Sequence, residues 1–164
     1  TGNMKFAMNG ALTIGTLDGA NIEIRDLVGK ENFFLFGKTE SEIMQLRNNN
    51  YQPSEIIKSV PELYEALRLI EVGHFSNGDG ELFRPLLNNL TGNDPFFVMA
   101  DFADYLRAQD NVSRAWTNRF EWNRMSLLNI ARSGYFSSDR SIREYCQTIW
   151  NVKPLPVEIT CDVH

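Results

Sequence analysis

Cysteine is scarce in this sequence. Cys146 and Cys161 are the two cysteines among 164 residues, and no CxxC pair or Cys/His cluster accompanies them. Zinc sites and disulfide frameworks need several sulfur or imidazole groups at short spacings, so the sequence supports neither, and we expect no bound metal. Unpaired thiols are typical of reducing compartments, which predicts a cytoplasmic protein.

Long apolar runs and an excess of positive charge are also missing. No apolar stretch approaches the roughly 18–20 residues of a membrane span, and no signal peptide is recognised at the start. Lys and Arg number 16 against 21 Asp and Glu, which gives a net charge of −5. Nucleic acids and anionic membranes attract basic surfaces, so we expect neither as a partner.

The composition that remains is that of one globular domain. Hydrophobic residues make up 43% and aromatic residues 12% of the chain, and its length fits a single domain. The chain opens on Thr1 rather than Met and enters apolar sequence at once, so we expect a piece of a larger protein. We assign residues 1–154 to the folded part and residues 155–164 to a loose tail.

The strand signals lie in the first hundred residues. Two apolar segments bounded by turn residues predict strands, one near Leu12–Thr16 and one at Asn32–Gly37. The second is apolar throughout, which is typical of a strand buried on both faces of a parallel sheet. A third short strand or extended segment is expected at Phe96–Met99. Short helices are predicted around Met4–Ala7 and Asn21–Val28.

Helix signals dominate the rest of the chain. Thr39–Glu42 has the sequence of a capping box, Ser59–Glu62 repeats the pattern, and Asn118–Glu121 resembles it. Gly134 suits the left-handed position that ends a helix. The helix predicted over Glu81–Leu90 turns five apolar side chains inward: Leu82, Phe83, Leu86, Leu87 and Leu90.

This order of elements places the chain in the α/β class, with a few strands followed mostly by helices. The strands are too few for a complete doubly wound sheet. We therefore expect two or three strands that add to a sheet begun upstream.

The first five residues carry the strongest candidate chemistry. Backbone N–H groups of Thr1 and Gly2, before a helical turn, can bind an anion such as phosphate. Lys5 lies about one turn further on. A lysine in apolar surroundings has a lowered pKa, and its neutral amine can condense with an aldehyde to a Schiff base. A surface lysine on a frayed terminus is the alternative interpretation.

Other polar residues have structural explanations. We expect Asp18 and Asn21 to fix a turn, Asp101 and Asp104 to be a solvated first helical turn, and Arg140 to form a salt bridge and a helix cap with Asp139. The remaining candidates are two isolated histidines and three tryptophans at helical spacings: His74, His164, Trp116, Trp122 and Trp150. We expect the histidines to carry no catalysis and the tryptophans to pack helices.

A longer string changes the interpretation of Lys5. Thr1–Asn21 closely resembles the pyridoxal-phosphate segment of the glycogen/starch (α-glucan) phosphorylases. Glu31–Gly37 resembles the next strand of that family, Ala100–Tyr105 its Ala-Asp-Tyr stretch, and Trp122–Trp150 its C-terminal signature. The resemblance extends to about Pro154.

The resemblance implies a fold, a cofactor and an activity. It places Lys5 where the family forms its Schiff base with pyridoxal 5′-phosphate, and Thr1 and Gly2 on the loop whose amides hold the cofactor phosphate. Family members are Rossmann-like GT-B enzymes, usually homodimeric, that use inorganic phosphate to release glucose 1-phosphate from α-1,4-glucan ends. The chain then corresponds to the C-terminal part of the second, cofactor-binding domain.

The resemblance also limits what this chain does alone. The Glu-Ala-Ser-Gly string that precedes the family's Thr is absent, as are the N-terminal domain and the basic residues that neutralise the phosphates. We expect the chain by itself to be inactive. A non-enzymatic folded fragment that acts only with other chains is the alternative, and an unrelated nucleotide-sugar glycosyltransferase is disfavoured because it needs no lysine in this turn. Whether the glucan is glycogen, starch or maltodextrin stays open.

Overall fold

The computed structural model of the protein describes residues 2–153 and 155. Its helices and strands follow one another along the chain as α1 (Gly2–Met8), β1 (Ile14–Gly15), α2 (Ala20–Val28), β2 (Phe34–Leu35), α3 (Glu40–Asn48), α4 (Pro53–Ser59), α5 (Pro61–Glu71), α6 (Arg84–Thr91), α7 (Val98–Thr117), α8 (Arg119–Arg132) and α9 (Ser138–Tyr145). Short 3-10 helices lie at Lys30–Asn32 and Ser133–Phe136, and a π-helical turn at Cys146–Trp150 follows α9.

The two strands predicted near the start are present and pair in parallel. Ile14 lies opposite Phe34 and Gly15 opposite Leu35, and α2 forms the crossover between the strands. The unit is therefore β-α-β, the arrangement that parallel strands require. Within the described residues the sheet has these two strands. The α/β class is confirmed in this coarse form, with helices dominating.

The second strand is less buried than its sequence predicts. Phe33, just before β2, is 6% exposed, whereas Phe34 and Leu35 are half-buried. A two-stranded sheet leaves part of each face uncovered, so the continuous apolar run is not enclosed on both sides by the described residues.

The strand or extended segment expected at Phe96–Met99 is wrong. Phe97 takes a left-handed conformation with φ 57°, and α7 begins at Val98. The Asp94 carboxylate accepts from the amides of Val98 and Met99, at 2.9 Å each. The first helical N–H groups thus have an acceptor, and a helix forms where the apolar run favours a strand.

The two capping boxes expected before α3 and α5 had different outcomes. At Thr39 the box is complete, because the amide of Glu42 donates to Thr39 Oγ1 and the Thr39 amide donates to Glu42 Oε2, at 3.4 and 2.8 Å. At Ser59 the prediction is wrong. The Ser59 hydroxyl donates back to the Ile56 carbonyl, and α5 begins after Val60 with Pro61 in its first turn.

Later helix boundaries also differ in part from the expectations. Asn118 caps α8 as predicted, accepting from the Glu121 amide at 3.2 Å. Helix α6 begins at Arg84 rather than Glu81, which leaves Leu82 60% exposed and outside the helix. Gly134 lies within the 3-10 helix that follows α8 rather than in a left-handed helix end.

Two apolar clusters hold the elements together. One joins α5, α6 and α7 through Leu63, Leu67, Leu87 and Met99. The other joins α2 to the chain before β2 through Ile24, Val28 and Phe33. Each fully buried side chain of this size contributes roughly 1.5–3 kcal/mol relative to exposure. Helix α1 packs against α2, α8 and the 3-10 helix after α8.

Two of the tryptophans expected to pack helices do so, because the rings of Trp116 in α7 and Trp122 in α8 lie 4.9 Å apart. The ring of Trp122 also lies 6.5 Å from that of Phe34. Trp116 and Trp150 remain 48% and 53% exposed, so they are not core residues. None of the helices in the described part of the chain is long and apolar enough to cross a membrane.

Candidate functional site

Helix α1 carries the candidate site on its exposed side. Ala7, 3% exposed, is the buried residue of this seven-residue helix. Ala7 lines a small pocket together with Ile24 of α2 and Asn129 of α8. The other side of the helix presents Lys5 and Phe6 outward.

The Lys5 side chain is exposed rather than surrounded by apolar groups. Its backbone carbonyl accepts from Asn9 Nδ2 at 2.8 Å, which supports the end of the helix. Among the described residues, no carboxylate lies within ion-pair distance of its amine. The amine is thus accessible to a reactant, and the described residues do not supply the apolar surroundings expected from the sequence.

Gly2 is the first residue of the same helix. A Cβ placed on Gly2 would meet no atom within 4 Å, and the first turn of α1 holds no acidic residue. Gly2 precedes Lys5 by three positions, a spacing that puts both on one side of a helix. Thr1 lies outside the described residues. A primary amine one turn from the exposed Gly2 fits an aldehyde that also carries a phosphate.

A chain of amide hydrogen bonds fixes the first turn of α1. The Met4 amide donates to Asn3 Oδ1 at 2.9 Å, and Asn3 Nδ2 donates to Asn21 Oδ1 at 2.9 Å. Asn21 Nδ2 then donates to the Thr16 carbonyl at 3.0 Å. We call this set of four residues the asparagine relay. It joins α1 to the turn between β1 and α2.

The other end of α1 is fixed by a residue far along the chain. Gly10 ends the helix with φ +78°, as the Asn9-Gly10 turn predicts. The Ser126 hydroxyl of α8 donates to the Gly10 carbonyl at 2.7 Å. A Cβ on Gly10 would collide with Ser126 Oγ. Helix α1 is therefore held at both ends, with Lys5 between the two attachments.

Asp101 and Asp104 correct an expectation. They are not a solvated first turn, because both side chains bind the loop after β2. Asp101 Oδ1 accepts from the Lys38 amide at 2.8 Å, and Asp104 Oδ2 accepts from the Gly37 amide at 2.7 Å. Burial raises the pKa of the Asp101 carboxyl, while the Lys38 amide and charge oppose the rise. The partners lie more than 60 residues apart, so local sequence carried no signal of this contact.

Sequence reasoning also missed Asp94. This residue is 1% exposed and accepts from the Tyr51 hydroxyl at 2.8 Å in addition to two α7 amides. Burial, followed by the hydrogen bond to Asp94, raises the pKa of Tyr51. The available signal was an acidic residue four positions before a helix, which is compatible with a side chain that caps the first turn.

The remaining candidates take structural roles. Asp18 accepts from the Thr16 hydroxyl at 3.1 Å, and Asn21 closes the same turn, as expected. His74 is exposed and packs against Phe75. The cap and salt bridge expected between Arg140 and Asp139 are wrong.

Arg140 pairs instead with Glu144 and donates to the Tyr135 carbonyl. Glu144 lies one helical turn along α9 and can face Arg140, whereas Asp139, the adjacent residue, points to another side of the helix. Cys161 and His164 lie outside the described residues.

Comparison with known proteins gives a consistent set of matches. The family model described as carbohydrate phosphorylase matches residues 1–152. The chain is 54% identical over 159 residues to a glycogen phosphorylase of Synechocystis sp., covering 97% of this chain and 19% of that protein.

Two further relatives agree. The chain is 48% identical over 153 residues to the glycogen phosphorylase of Chlamydia pneumoniae, covering 93% of this chain and 18% of the relative. It is 46% identical over 160 residues to the liver form of Homo sapiens glycogen phosphorylase, covering 98% of this chain and 19% of that relative. The chain thus spans about a fifth of the length of the curated relatives it matches.

Proposed function

This chain belongs to the carbohydrate phosphorylase family, and from that premise we propose that it is the part of an α-glucan phosphorylase that anchors pyridoxal 5′-phosphate through Lys5. In this proposal Lys5 forms the covalent link to the cofactor, and the backbone amides of Thr1 and Gly2 bind the cofactor phosphate. The family is one of glycosyltransferase enzymes, and we propose the GT-B arrangement for the whole protein, with residues 1–154 in its cofactor-binding domain.

The observation that carries the proposal is the setting of Lys5. Its exposed amine lies three residues after Gly2, on a helix held at Asn3 and Gly10 by contacts to α2 and α8. A fixed lysine can meet an aldehyde in one orientation, which lowers the entropy lost on forming the link. A Cβ placed on Gly2 would meet no atom within 4 Å, which supports a phosphate contact at the start of the same helix.

We extend the proposal to the activity of the whole protein. Inorganic phosphate would cleave the terminal α-1,4-glucosyl bond of a glucan and release glucose 1-phosphate. When bound, pyridoxal phosphate would supply a phosphate group that exchanges a proton with inorganic phosphate. This chain's own contribution is to hold that group in place. The proposal includes a cytoplasmic location and a homodimer, and it leaves open which glucan is used.

A second candidate is a folded fragment that acts only in association with other chains. The exposed apolar side chains of α1 and α8 favour it, because Phe6 is 69% and Phe120 77% exposed. The short sheet also leaves strand edges unpaired within the described residues. Both candidates agree that the chain alone does not catalyse phosphorolysis.

The anchoring proposal is tested by chemical trapping. The purified chain is mixed with pyridoxal phosphate and reduced with borohydride, and the modified peptide is identified by mass. We expect one label per chain on Lys5, with the other four lysines spared. Lys5→Arg should abolish the label, while Lys30→Arg, which removes another exposed lysine, should leave it intact. Labels spread over several lysines would contradict the anchoring role of this chain.

The proposed activity needs a separate experiment. The labelled chain is combined with the part of the Synechocystis relative that precedes the matched residues, and glucose 1-phosphate is measured with maltodextrin and inorganic phosphate. Release of glucose 1-phosphate that requires both parts, and that is lost when the Lys5→Arg variant replaces the labelled chain, would support the proposal. A complex that binds the cofactor and stays inactive would favour the association candidate.

A further inference from the structure

The asparagine relay couples the turn after β1 to the residues around Lys5. We propose that Asn21 is a positioning residue for Lys5, acting through Asn3 to set the orientation of the first turn of α1. The inference rests on the proposed function of Lys5, and it assigns a specific role to a residue that sequence analysis placed only in a turn.

The hydrogen bonds of the relay fit only one orientation of each asparagine amide. Asn3 uses its oxygen for the Met4 amide and its nitrogen for Asn21, and Asn21 uses its oxygen for Asn3 and its nitrogen for the Thr16 carbonyl. Turning either amide over would bring two donors or two acceptors together. The four groups are half-buried, so water competes with them less than at the surface. The relay therefore specifies one orientation for Asn3.

Gly15 of β1 makes room for this arrangement. A Cβ on Gly15 would lie 2.7 Å from Asn21 Nδ2 and 3.3 Å from its Cγ. Gly15 is also buried and paired with Leu35 in the sheet. Any larger residue at position 15 would displace the Asn21 amide and break the relay. The strand thus contributes to the placement of α1 through the absence of a side chain.

The length of α1 makes this attachment important. Isolated helices shorter than roughly 12–15 residues are marginal in water, and α1 has seven residues with one of them buried. Its first turn has no other side-chain hydrogen bond to a distant element among the described residues. Lys5 lies two residues after Asn3, so a shift of the first turn moves the lysine directly.

Two measurements on the purified chain test the inference. The first is hydrogen exchange of the α1 amides without cofactor, in Asn21→Ala, Asn21→Asp and Gly15→Ala variants. The second is the pyridoxal phosphate concentration that half-saturates reducible labelling at Lys5. Asn48→Ala is the matched control, because Asn48 is an exposed asparagine of α3 whose side chain takes no part in the relay or in α1. Circular dichroism shows which variants fold.

We expect the Asn21→Ala and Gly15→Ala variants to exchange α1 amides about tenfold faster and to need about tenfold more pyridoxal phosphate. Asn21→Asp keeps the acceptor for Asn3 and should fall between these variants and the unchanged chain. Adding Asn3→Ala to Asn21→Ala should cause little further change, because both act on one relay. Asn48→Ala should leave labelling within twofold.

The results that would contradict the role of Asn21 differ from the result that would contradict the proposed function of Lys5. Unchanged α1 exchange in Asn21→Ala or in Gly15→Ala would overturn the inference, whether or not Lys5 binds cofactor. Faster exchange with unchanged labelling would also overturn it, because Asn21 would then stabilise α1 without positioning Lys5. If the unchanged chain takes no label at Lys5, the proposed function fails, and α1 exchange alone decides whether Asn21 fixes the first turn.

Discussion

A single buried carboxylate, that of Asp94, determines where the longest helix begins. It accepts from two amides of α7 and from the Tyr51 hydroxyl, and it is almost completely removed from solvent. Phe97, between Asp94 and Val98, has a left-handed backbone conformation. Its ring packs on that of Tyr51, with centroids 5.0 Å apart, and this contact stabilises the conformation. One residue therefore sets a helix start, a loop conformation and a contact to the chain before α4.

Replacing Asp94 by Ala should be among the most destabilising changes in this chain. It leaves three donors without their acceptor, and a cost on the order of 2–3 kcal/mol in the free energy of unfolding is expected. Tyr51→Phe removes one donor and keeps the ring, so about 1 kcal/mol or less is expected. Urea unfolding followed by circular dichroism measures both. Equal costs for the two variants would contradict the capping role.

Asp101 gives the folded chain a pH dependence of unusual sign. Burial raises its pKa above the usual value of 3.8, so between the unfolded and folded pKa values the folded state binds more protons. Stability from this group therefore falls as the pH rises through that window. The free energy of unfolding of the unchanged chain minus that of Asp101→Asn should therefore be larger at pH 3.5 than at pH 7.

Glu42 provides the comparison for this pH dependence. Hydrogen bonds from the Thr39 backbone and side chain lower its pKa, so its contribution is present at neutral pH and lost as the pH falls. The free energy of unfolding of the unchanged chain minus that of Glu42→Gln should thus become smaller as the pH falls, which is the opposite of the trend expected for Asp101. Slopes of the same sign for both positions would show that the burial of Asp101 is not what governs its titration.

At the scale of elements, identical sequence patterns produced different helix starts. Thr39 and Ser59 both precede a Glu by three positions, yet the hydroxyl of Thr39 caps its helix and that of Ser59 does not. The difference lies in what precedes each residue. Ser59 ends α4 and its hydroxyl reaches the carbonyl of Ile56, whereas Thr39 follows an extended loop and has no helical carbonyl behind it.

This difference predicts unequal effects of the same substitution. Thr39→Ala should reduce the free energy of unfolding by about 1 kcal/mol, because it removes a helix cap. Ser59→Ala should change it by less than about 0.5 kcal/mol, because the bond that it loses is exposed. Chemical denaturation of the two variants, measured side by side, distinguishes the cases. A cost at Ser59 equal to that at Thr39 would mean that both hydroxyls act as caps.

At the scale of the whole molecule, the capping and turn predictions that succeeded involve partners close along the chain, although the local predictions at Ser59 and Arg140 failed. The Thr39 box, the Asn9-Gly10 turn and the Asn118 cap each involve residues within about four positions, and each was predicted. The contacts that place the site were not predicted. Asn3 and Asn21 are 18 positions apart, Lys38 and Asp101 63, and Gly10 and Ser126 116. No local pattern encodes such pairs.

The exposed apolar surface of α1 and α8 predicts that the chain associates. Phe6, Phe120 and Leu127 are 69%, 77% and 65% exposed, and the two helices contact each other. We expect sedimentation velocity to show oligomers at micromolar concentration, and Phe6→Ser with Phe120→Ser to shift them toward monomer. Phe75→Ser, at a loop residue of similar exposure (63%), is the control. An unchanged distribution in the double variant would exclude this surface.

The bond between Ser126 and Gly10 has a consequence for the order of events during synthesis. Ribosomes add on the order of 5–20 residues per second, so Lys5 emerges roughly 6–25 s before the hydroxyl that fixes the end of its helix. A newly made Lys5 is therefore present on a nascent chain well before its helix can settle against α8. The cofactor attachment that we propose at Lys5 is accordingly expected to be a late, post-translational event rather than a co-translational one.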